Sequence, residues 1–151
     1  MKLNAILAIA AALALGGIAA GCGDDNNDSS TSTTAAAAIS KADFVARGNR
    51  ICKQGNDEIN QAGEQLGKSV NQQQLEDFAT NTVVPSIQKQ IDGIKALGAP
   101  AGEEAQVNQL ITTAQADLDE LKADPSKLQK DNLFKDANQQ ASALGLTECA
   151  G

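Results

Sequence analysis

Residues 102–123, GEEAQVNQLITTAQADLDELKA, decide the fold class of this chain. Apolar side chains recur in this stretch at the spacing of one helix face, and polar residues fill most of the positions between them. Glu103 and Glu104 stand in the first turn, where the helix dipole favours acidic side chains. The stretch therefore predicts an amphipathic α-helix, whose buried face would be Val107, Leu110, Ile111, Ala114, Leu118 and Leu121.

Two earlier stretches show the same helical spacing. The first begins near Ser40, which resembles an N-cap with Asp43 three residues later, and its several glycines would each weaken an isolated helix by about 1 kcal/mol. The second runs from about residue 72 to 97 and contains Pro85, which predicts a kink or a split because proline removes a backbone hydrogen bond. The expected inner faces are Phe44, Val45, Ile51, Cys52, Ile59 and Leu66, and then Leu75, Phe78, Val83, Ile87, Ile91, Ile94 and Leu97.

A last helix is expected after the third. Asp124 and Pro125 form an N-cap followed by a proline in the first turn, and Gly145 follows the apolar face as a C-cap. No stretch has the alternating β-branched pattern of a strand. The sequence thus predicts an all-α fold, an antiparallel bundle of about four helices. Its core would be thin, because the chain has only three Phe and no Trp or Tyr.

The N-terminal residues have the layout of a secretory signal. Lys2 is the only charged residue before an uncharged stretch from residue 3 to 20, and small residues stand directly before Cys22. This arrangement resembles the lipobox of bacterial lipoproteins, although Ala19 stands where the lipobox usually has Leu. The resemblance implies that Cys22 becomes the N-terminus and carries a diacylglyceryl group, with acyl chains such as palmitate as the membrane anchor.

Two other interpretations of this segment stay open. Cys22 would be an incidental thiol if an ordinary signal peptide is removed, and an uncleaved apolar run of about 18 or more residues could span a bilayer. The Asp- and Asn-rich residues that follow favour a solvated tether. We therefore expect a signal peptide at residues 1–21, a lipidated N-terminus and disordered linker at 22–39, and a helical bundle domain at 40–151.

The two remaining cysteines, Cys52 and Cys149, are expected to form a disulfide. An exported protein that keeps an even number of cysteines favours such a bond, which would join the C-terminal segment to the first helix. Free thiols or a redox pair are the alternatives. The chain has no Cys-x-x-Cys motif, and Cys52 falls on an apolar helix face, where a thiol is normally unreactive.

Composition excludes several classes of function. The chain has no His, which rules out a Ser-His-Asp triad, a Cys-His pair and His-ligated zinc. Removal of Lys2 would leave 11 basic and 19 acidic residues, a net charge of −8, whereas nucleic-acid binding needs basic residues to neutralise phosphates. We expect no enzymatic activity, no cofactor, no metal and no nucleic-acid partner.

Two clusters of charged residues are candidate sites. Asp117, Asp119 and Glu120 fall on the third helix, where Asp117 and Glu120 share a face and could hold a divalent cation weakly, although a solvated surface is the simpler explanation. Arg47 and Arg50 are the only arginines and lie one turn apart on the first helix. They could bind an anion, although pairing with nearby acids or exposure to solvent is the simpler explanation.

Short motifs also resemble uncharacterised small exported proteins and lipoproteins of actinobacteria. They are Asp43-Phe44 with Arg50-Ile51-Cys52, then Leu97-Gly98-Ala99-Pro100, and then Gly145-Leu146-Thr147-Glu148-Cys149. The resemblance implies an exported helical domain framed by a cysteine in the first helix and a cysteine near the end. It implies no particular activity.

These observations lead to two expected functions. The first is a non-catalytic protein anchored to the extracytoplasmic side of the cell membrane through Cys22, where it binds an envelope protein or has a structural role. The alternative is a carrier that holds a small molecule or ion inside the bundle. A continuous cavity would favour the carrier, and a packed core with an exposed apolar groove would favour partner binding.

Overall fold

The computed structural model describes residues 38–67, 69–130 and 132–151. These residues are helical and contain no strand, which confirms the all-α prediction. None of their helices is long and apolar enough to cross a bilayer. The predicted signal peptide, Cys22 and nearly all of the predicted linker lie outside the described residues.

Helix α1, Lys41–Gln65, begins where the sequence predicted and is not interrupted by its glycines. Ser40 is the N-cap, and its hydroxyl oxygen accepts a hydrogen bond of 3.1 Å from the backbone N–H of Asp43. Gly48 and Gly55 are buried where the side chains of Leu146 and Gln90 press against the helix. The glycines therefore allow close packing, which offsets their low helix propensity.

The second stretch forms one continuous helical rod with a widened turn in its middle. Helix α2, Gln72–Phe78, passes into a π-helical turn, Ala79–Val83, and then into α3, Val84–Leu97. The N–H of Val84 donates to the carbonyl of Ala79, five residues earlier. This turn ends two residues before Pro85 and accommodates the proline without ending the helix.

Helix α4, Glu104–Ala123, matches the third prediction, but the predicted fourth helix is divided. Asp124 does act as an N-cap, but of a short 3₁₀ helix, Pro125–Gln129, and α5 spans only Lys135–Ala143. In a straight helix Leu133 would point about 140° away from Leu128 around the axis. The break removes this conflict, and Leu128, Leu133 and Phe134 all pack against the same apolar cluster.

The core consists of two apolar clusters. The larger one joins α1, α3, α4, α5 and the C-terminal segment, and its buried members are Phe44, Cys52, Ile94, Val107, Leu110, Ala137, Ala141, Leu144 and Leu146. The smaller one surrounds Ala79, Val83 and Leu121, with Ile59, Phe78, Val84, Ile87, Leu128, Leu133 and Phe134 packed against it. The predicted helix faces supply most of both clusters.

The C-terminal segment folds back onto α1 as the sequence predicted. Gly145 has φ of +82° and ends α5, and the N–H of Leu146 donates to the carbonyl of Ala141 in a Schellman turn. A short 3₁₀ helix, Thr147–Cys149, follows. Cys149 forms a disulfide with Cys52, with the two Cα atoms 5.0 Å apart.

Two asparagines on α1 flank the disulfide and bind the same segment. The Asn49 amide donates to the carbonyl of Gly145 at 3.0 Å and accepts from the N–H of Glu148 at 2.9 Å. The Asn56 amide donates to the carbonyl of Glu148 at 2.7 Å. Asn49, Cys52 and Asn56 are spaced by three and four residues, so one face of α1 holds the C-terminal segment.

Candidate functional site

A pocket of about 210 Å³ lies between the two apolar clusters, and we call it the interior pocket. Residues of both clusters form its walls, and they come from α1, α3, α4, α5 and the C-terminal segment. Most of its lining is apolar: Ile59, Ile87, Ile91, Ile94, Leu110, Ile111, Ala114, Phe134, Ala137 and Ala141. A space of this character suits an apolar molecule, since an engineered apolar cavity of about 150 Å³ holds benzene.

The disulfide is part of the wall of the interior pocket. Cys52 and Cys149 both line it, as does Gly151 beyond the bond. Because the disulfide and the asparagines of α1 fix the C-terminal segment, they also fix this side of the pocket. The predicted structural bond is therefore confirmed, and it has a second effect that the sequence did not indicate.

Three amide side chains bring polar atoms to the interior pocket, Asn56, Gln90 and Asn138. The amide nitrogen of Gln90 is buried and has no acceptor among the described residues. A buried donor without a partner costs about 1–3 kcal/mol, so this group favours a water or a polar ligand atom beside it. Gln90 also lines a shallow depression between α1 and α3, which places it at that side of the pocket.

A second hollow of about 560 Å³ lies on the surface next to the interior pocket, and we call it the surface groove. Phe134 and Asn138 line both spaces, so the two spaces adjoin at these residues, which we call their shared wall. Phe134 is the last residue before α5, directly after the break that divides the predicted fourth helix. The groove is lined by Leu128, Lys130, Leu133, Phe134, Lys135, Asn138, Gln139, Ser142 and Ala150.

Among the described residues that line the surface groove, the charged ones are both lysines. Lys130 and Lys135 are both exposed, and neither forms an ion pair with another described residue. The neighbouring Lys127 is different, because its ammonium group lies 3.0 Å from the carboxylate of Glu120. Two lysines beside an apolar hollow, without an ion pair to any described residue, contrast with the chain's net charge of −7.

The acidic residues of α4 do not form the cation site considered from the sequence. Asp119 pairs with Lys122 at 3.1 Å, and Glu120 pairs with Lys127. Asp117 has one buried carboxylate oxygen without a hydrogen-bond partner among the described residues, and burial, followed by the charges of Glu120 and Asp136, raises the pKa of its carboxyl group. Within the described residues, no group of three acidic or cysteine side chains could hold a metal ion.

The remaining sequence candidates are not brought to the pocket. Arg47 and Arg50 are exposed on α1, and neither lines the interior pocket or the surface groove. They make no ion pair with the residues that the structure describes. Cys22 lies outside those residues, so its lipidation stays a prediction.

The sequence placed many of the pocket-lining residues on the inner helix faces and left open whether these faces enclose a cavity. Ile111 and Ala114 were expected on the inner face of α4, and they do face inward, but they line a space. Gln90 was missed altogether. Its only sequence signal is a polar residue next to Ile91 on the inner side of a helix, and many exposed glutamines share that pattern.

No protein-family model, curated protein or solved structure shows significant similarity to this chain.

Proposed function

We propose that this protein is an exported, lipid-anchored binding protein without catalytic activity, and that its helical domain holds a small apolar molecule. The interior pocket is the observation that carries the proposal. It is concave and lined by aliphatic side chains from four helices, as small-molecule sites between helices commonly are. The anchor, at Cys22, is inferred from the lipobox-like sequence alone.

Because of the pocket, the carrier becomes the favoured one of the two functions expected from the sequence. Partner binding was the first expectation and a carrier was the alternative. A half-open, concave apolar pocket lined by four helices favours the carrier, because small-molecule sites are concave, mostly apolar and often lie between helices. Binding of an envelope protein stays a prediction, and chemical crosslinking in native membranes followed by identification of the crosslinked neighbour tests it.

Binding of linear alcohols tests the proposed pocket directly. The exported protein is produced with Cys22→Ser, so that no acyl chain of its own competes, and 1-hexanol to 1-decanol are titrated by calorimetry. Each buried methylene contributes about 0.8 kcal/mol, so affinity is expected to rise about fourfold per carbon until the pocket is full. Absence of binding by every alcohol would overturn the carrier function.

A matched pair of variants on α4 locates the binding. Ala114→Leu places a larger side chain in the interior pocket, whereas Ala116 is exposed two residues later. We expect Ala114→Leu to weaken 1-decanol binding at least about tenfold and Ala116→Leu to leave it unchanged. Ile111→Phe is a second blocking variant, and circular dichroism checks that each variant is folded. Equal binding by both alanine variants would place the alcohol outside the pocket.

Mass spectrometry of the protein from its native membrane fraction tests the anchor. The expected result is an N-terminal peptide that begins at an acylated Cys22 and, without reduction, a crosslinked peptide that contains Cys52 and Cys149. An unmodified N-terminus at another residue would overturn the lipoprotein proposal and leave the pocket untouched.

A further inference from the structure

We propose that the interior pocket and the surface groove form one site for an anionic amphiphile. Its acyl chain would occupy the interior pocket, and its anionic head would lie in the groove beside Lys130 and Lys135. This inference rests on the proposed function, because it assigns the chemical class of the molecule that the pocket holds.

The volumes leave room for a bound molecule that is longer than the interior pocket. Sites for drug-sized ligands usually measure about 300–1,000 Å³, whereas the interior pocket measures about 210 Å³. The adjacent groove measures about 560 Å³ and shares the wall of Phe134 and Asn138. A molecule longer than the pocket therefore needs only to pass this wall to enter a second space.

The position of Phe134 in this wall allows its side chain to move. Phe134 is half-buried and belongs to the turn between the 3₁₀ helix Pro125–Gln129 and α5, outside both helices. Its backbone serves as the N-cap of α5 without a side-chain hydrogen bond. A change of its rotamer would join the two spaces without unfolding a helix.

Charge and apolar surface in the groove together specify the head of the ligand. Leu128 and Leu133 continue the apolar lining outward, and Lys130 and Lys135 are the charged residues that the structure places along it. Lysine ammonium groups attract carboxylate and phosphate, and an exposed pair adds a modest, salt-dependent affinity. The depression between α1 and α3 has no comparable net positive charge, because Lys89 and Glu58 both line it.

The experiment compares decanoate with 1-decanol, which have the same chain length and differ in charge. With the Cys22→Ser protein at low salt, we expect decanoate to bind about three- to tenfold more tightly, the effect of two exposed ion pairs. Lys130→Gln with Lys135→Gln should remove this advantage and leave 1-decanol binding unchanged. Raised salt should reduce the same advantage in the unsubstituted protein.

The control removes an equal charge from the other side of the domain, with Lys89→Gln and Lys95→Gln, and decanoate should retain its advantage in this variant. If 1-decanol binds but decanoate binds no more tightly, the amphiphile inference is overturned while the carrier function stands. The same conclusion follows if the Lys130 and Lys135 variant keeps the advantage or the control variant loses it. If neither molecule binds, both proposals fail.

Discussion

Leu146 lies against the backbone of α1 at Gly48, so closely that a Cβ atom on residue 48 would be 2.5 Å from Leu146 Cδ2 and 3.1 Å from Ile94 Cδ1. Leu146 is fully buried, and the Schellman turn after α5 brings it to this position. The glycine that weakens α1 as an isolated helix is thus the residue that lets the C-terminal segment pack against it.

Replacing Gly48 by alanine should destabilise the domain although alanine is the better helix former. The added methyl group would overlap Leu146, and overpacking of a core typically costs about 1–3 kcal/mol. Gly63→Ala is the matched control on the same helix, because a Cβ there would meet Phe78 at an ordinary 3.7 Å. We expect this control to gain up to about 1 kcal/mol from helix propensity. Urea unfolding of both variants checks the prediction, which fails if the two shift stability in the same direction.

Loss of the disulfide should have the largest effect of any single change considered. The bond joins residues 97 apart, and in the chain-entropy model a loop of that length contributes about 4–5 kcal/mol. The double variant with Cys52→Ala and Cys149→Ala should therefore unfold at much lower urea concentration. A reductant should lower the midpoint of the unsubstituted protein and leave that of the variant unchanged; equal midpoints for the two proteins without reductant would contradict the prediction.

The hydrogen bonds of Asn49 should matter independently of the disulfide. Asn49→Ala removes a donor to Gly145 and an acceptor for Glu148, and two such bonds contribute about 1–3 kcal/mol together. Asn60→Ala, at an exposed position on the same helix, should change stability by less than about 0.5 kcal/mol. The measurement is thermal unfolding of the oxidised proteins, and an Asn49 variant as stable as the Asn60 variant would show that the disulfide alone holds the segment.

The raised pKa of Asp117 predicts that its carboxylate makes the domain less stable at neutral pH. Between the ordinary pKa of aspartate and the raised native pKa, the folded protein keeps a proton that the unfolded chain has lost. The free energy of unfolding therefore falls as pH rises from the ordinary pKa of aspartate to the raised native pKa of Asp117. Above the native pKa the full loss of stability is reached. Asp117→Asn should abolish this fall, which a series of urea titrations at different pH values measures.

Asp119 provides a control, because its pKa is shifted in the opposite direction to that of Asp117. Hydrogen bonds from Lys122 and then Gln115 lower the pKa of its carboxyl group, so the stability it contributes is present above the ordinary pKa and is lost as pH falls through the native one. Asp119→Asn should thus lose stability at neutral pH, where Asp117→Asn should gain it or remain equal to the unsubstituted protein. Variants that respond alike would exclude burial as the cause of the Asp117 shift.

The helices could be predicted because their ends are marked by local chemistry. Ser40 begins α1 and Gly145, with its positive φ, ends α5, as the sequence indicated. Hydrophobic spacing identified the inner faces of α1, α3 and α4 for the same reason: it reflects the geometry of one helix. The disulfide was also predictable, from the cysteine count and the expectation of export.

Features that depend on contacts between distant segments could not be predicted. The predicted helix is interrupted between Leu128 and Phe134 because both side chains pack against the smaller cluster. Predicting this interruption would require knowledge of where α2 and α4 lie. The roles of Asn49 and Asn56 depend on a segment more than 90 residues away. The interior pocket depends on volume that the side chains leave unfilled, and helical spacing carries no information about volume.

The covalent link between Cys52 and Cys149 also determines how the domain would respond to mechanical force. Tension applied between residue 40 and residue 151 could stretch only the chain before Cys52 and after Cys149, because the bond carries the load past everything between them. The interior pocket is lined almost entirely by residues within this shielded length. A pull on the ends could thus extend the first turns of α1 and leave the segment that forms most of the pocket under no direct tension.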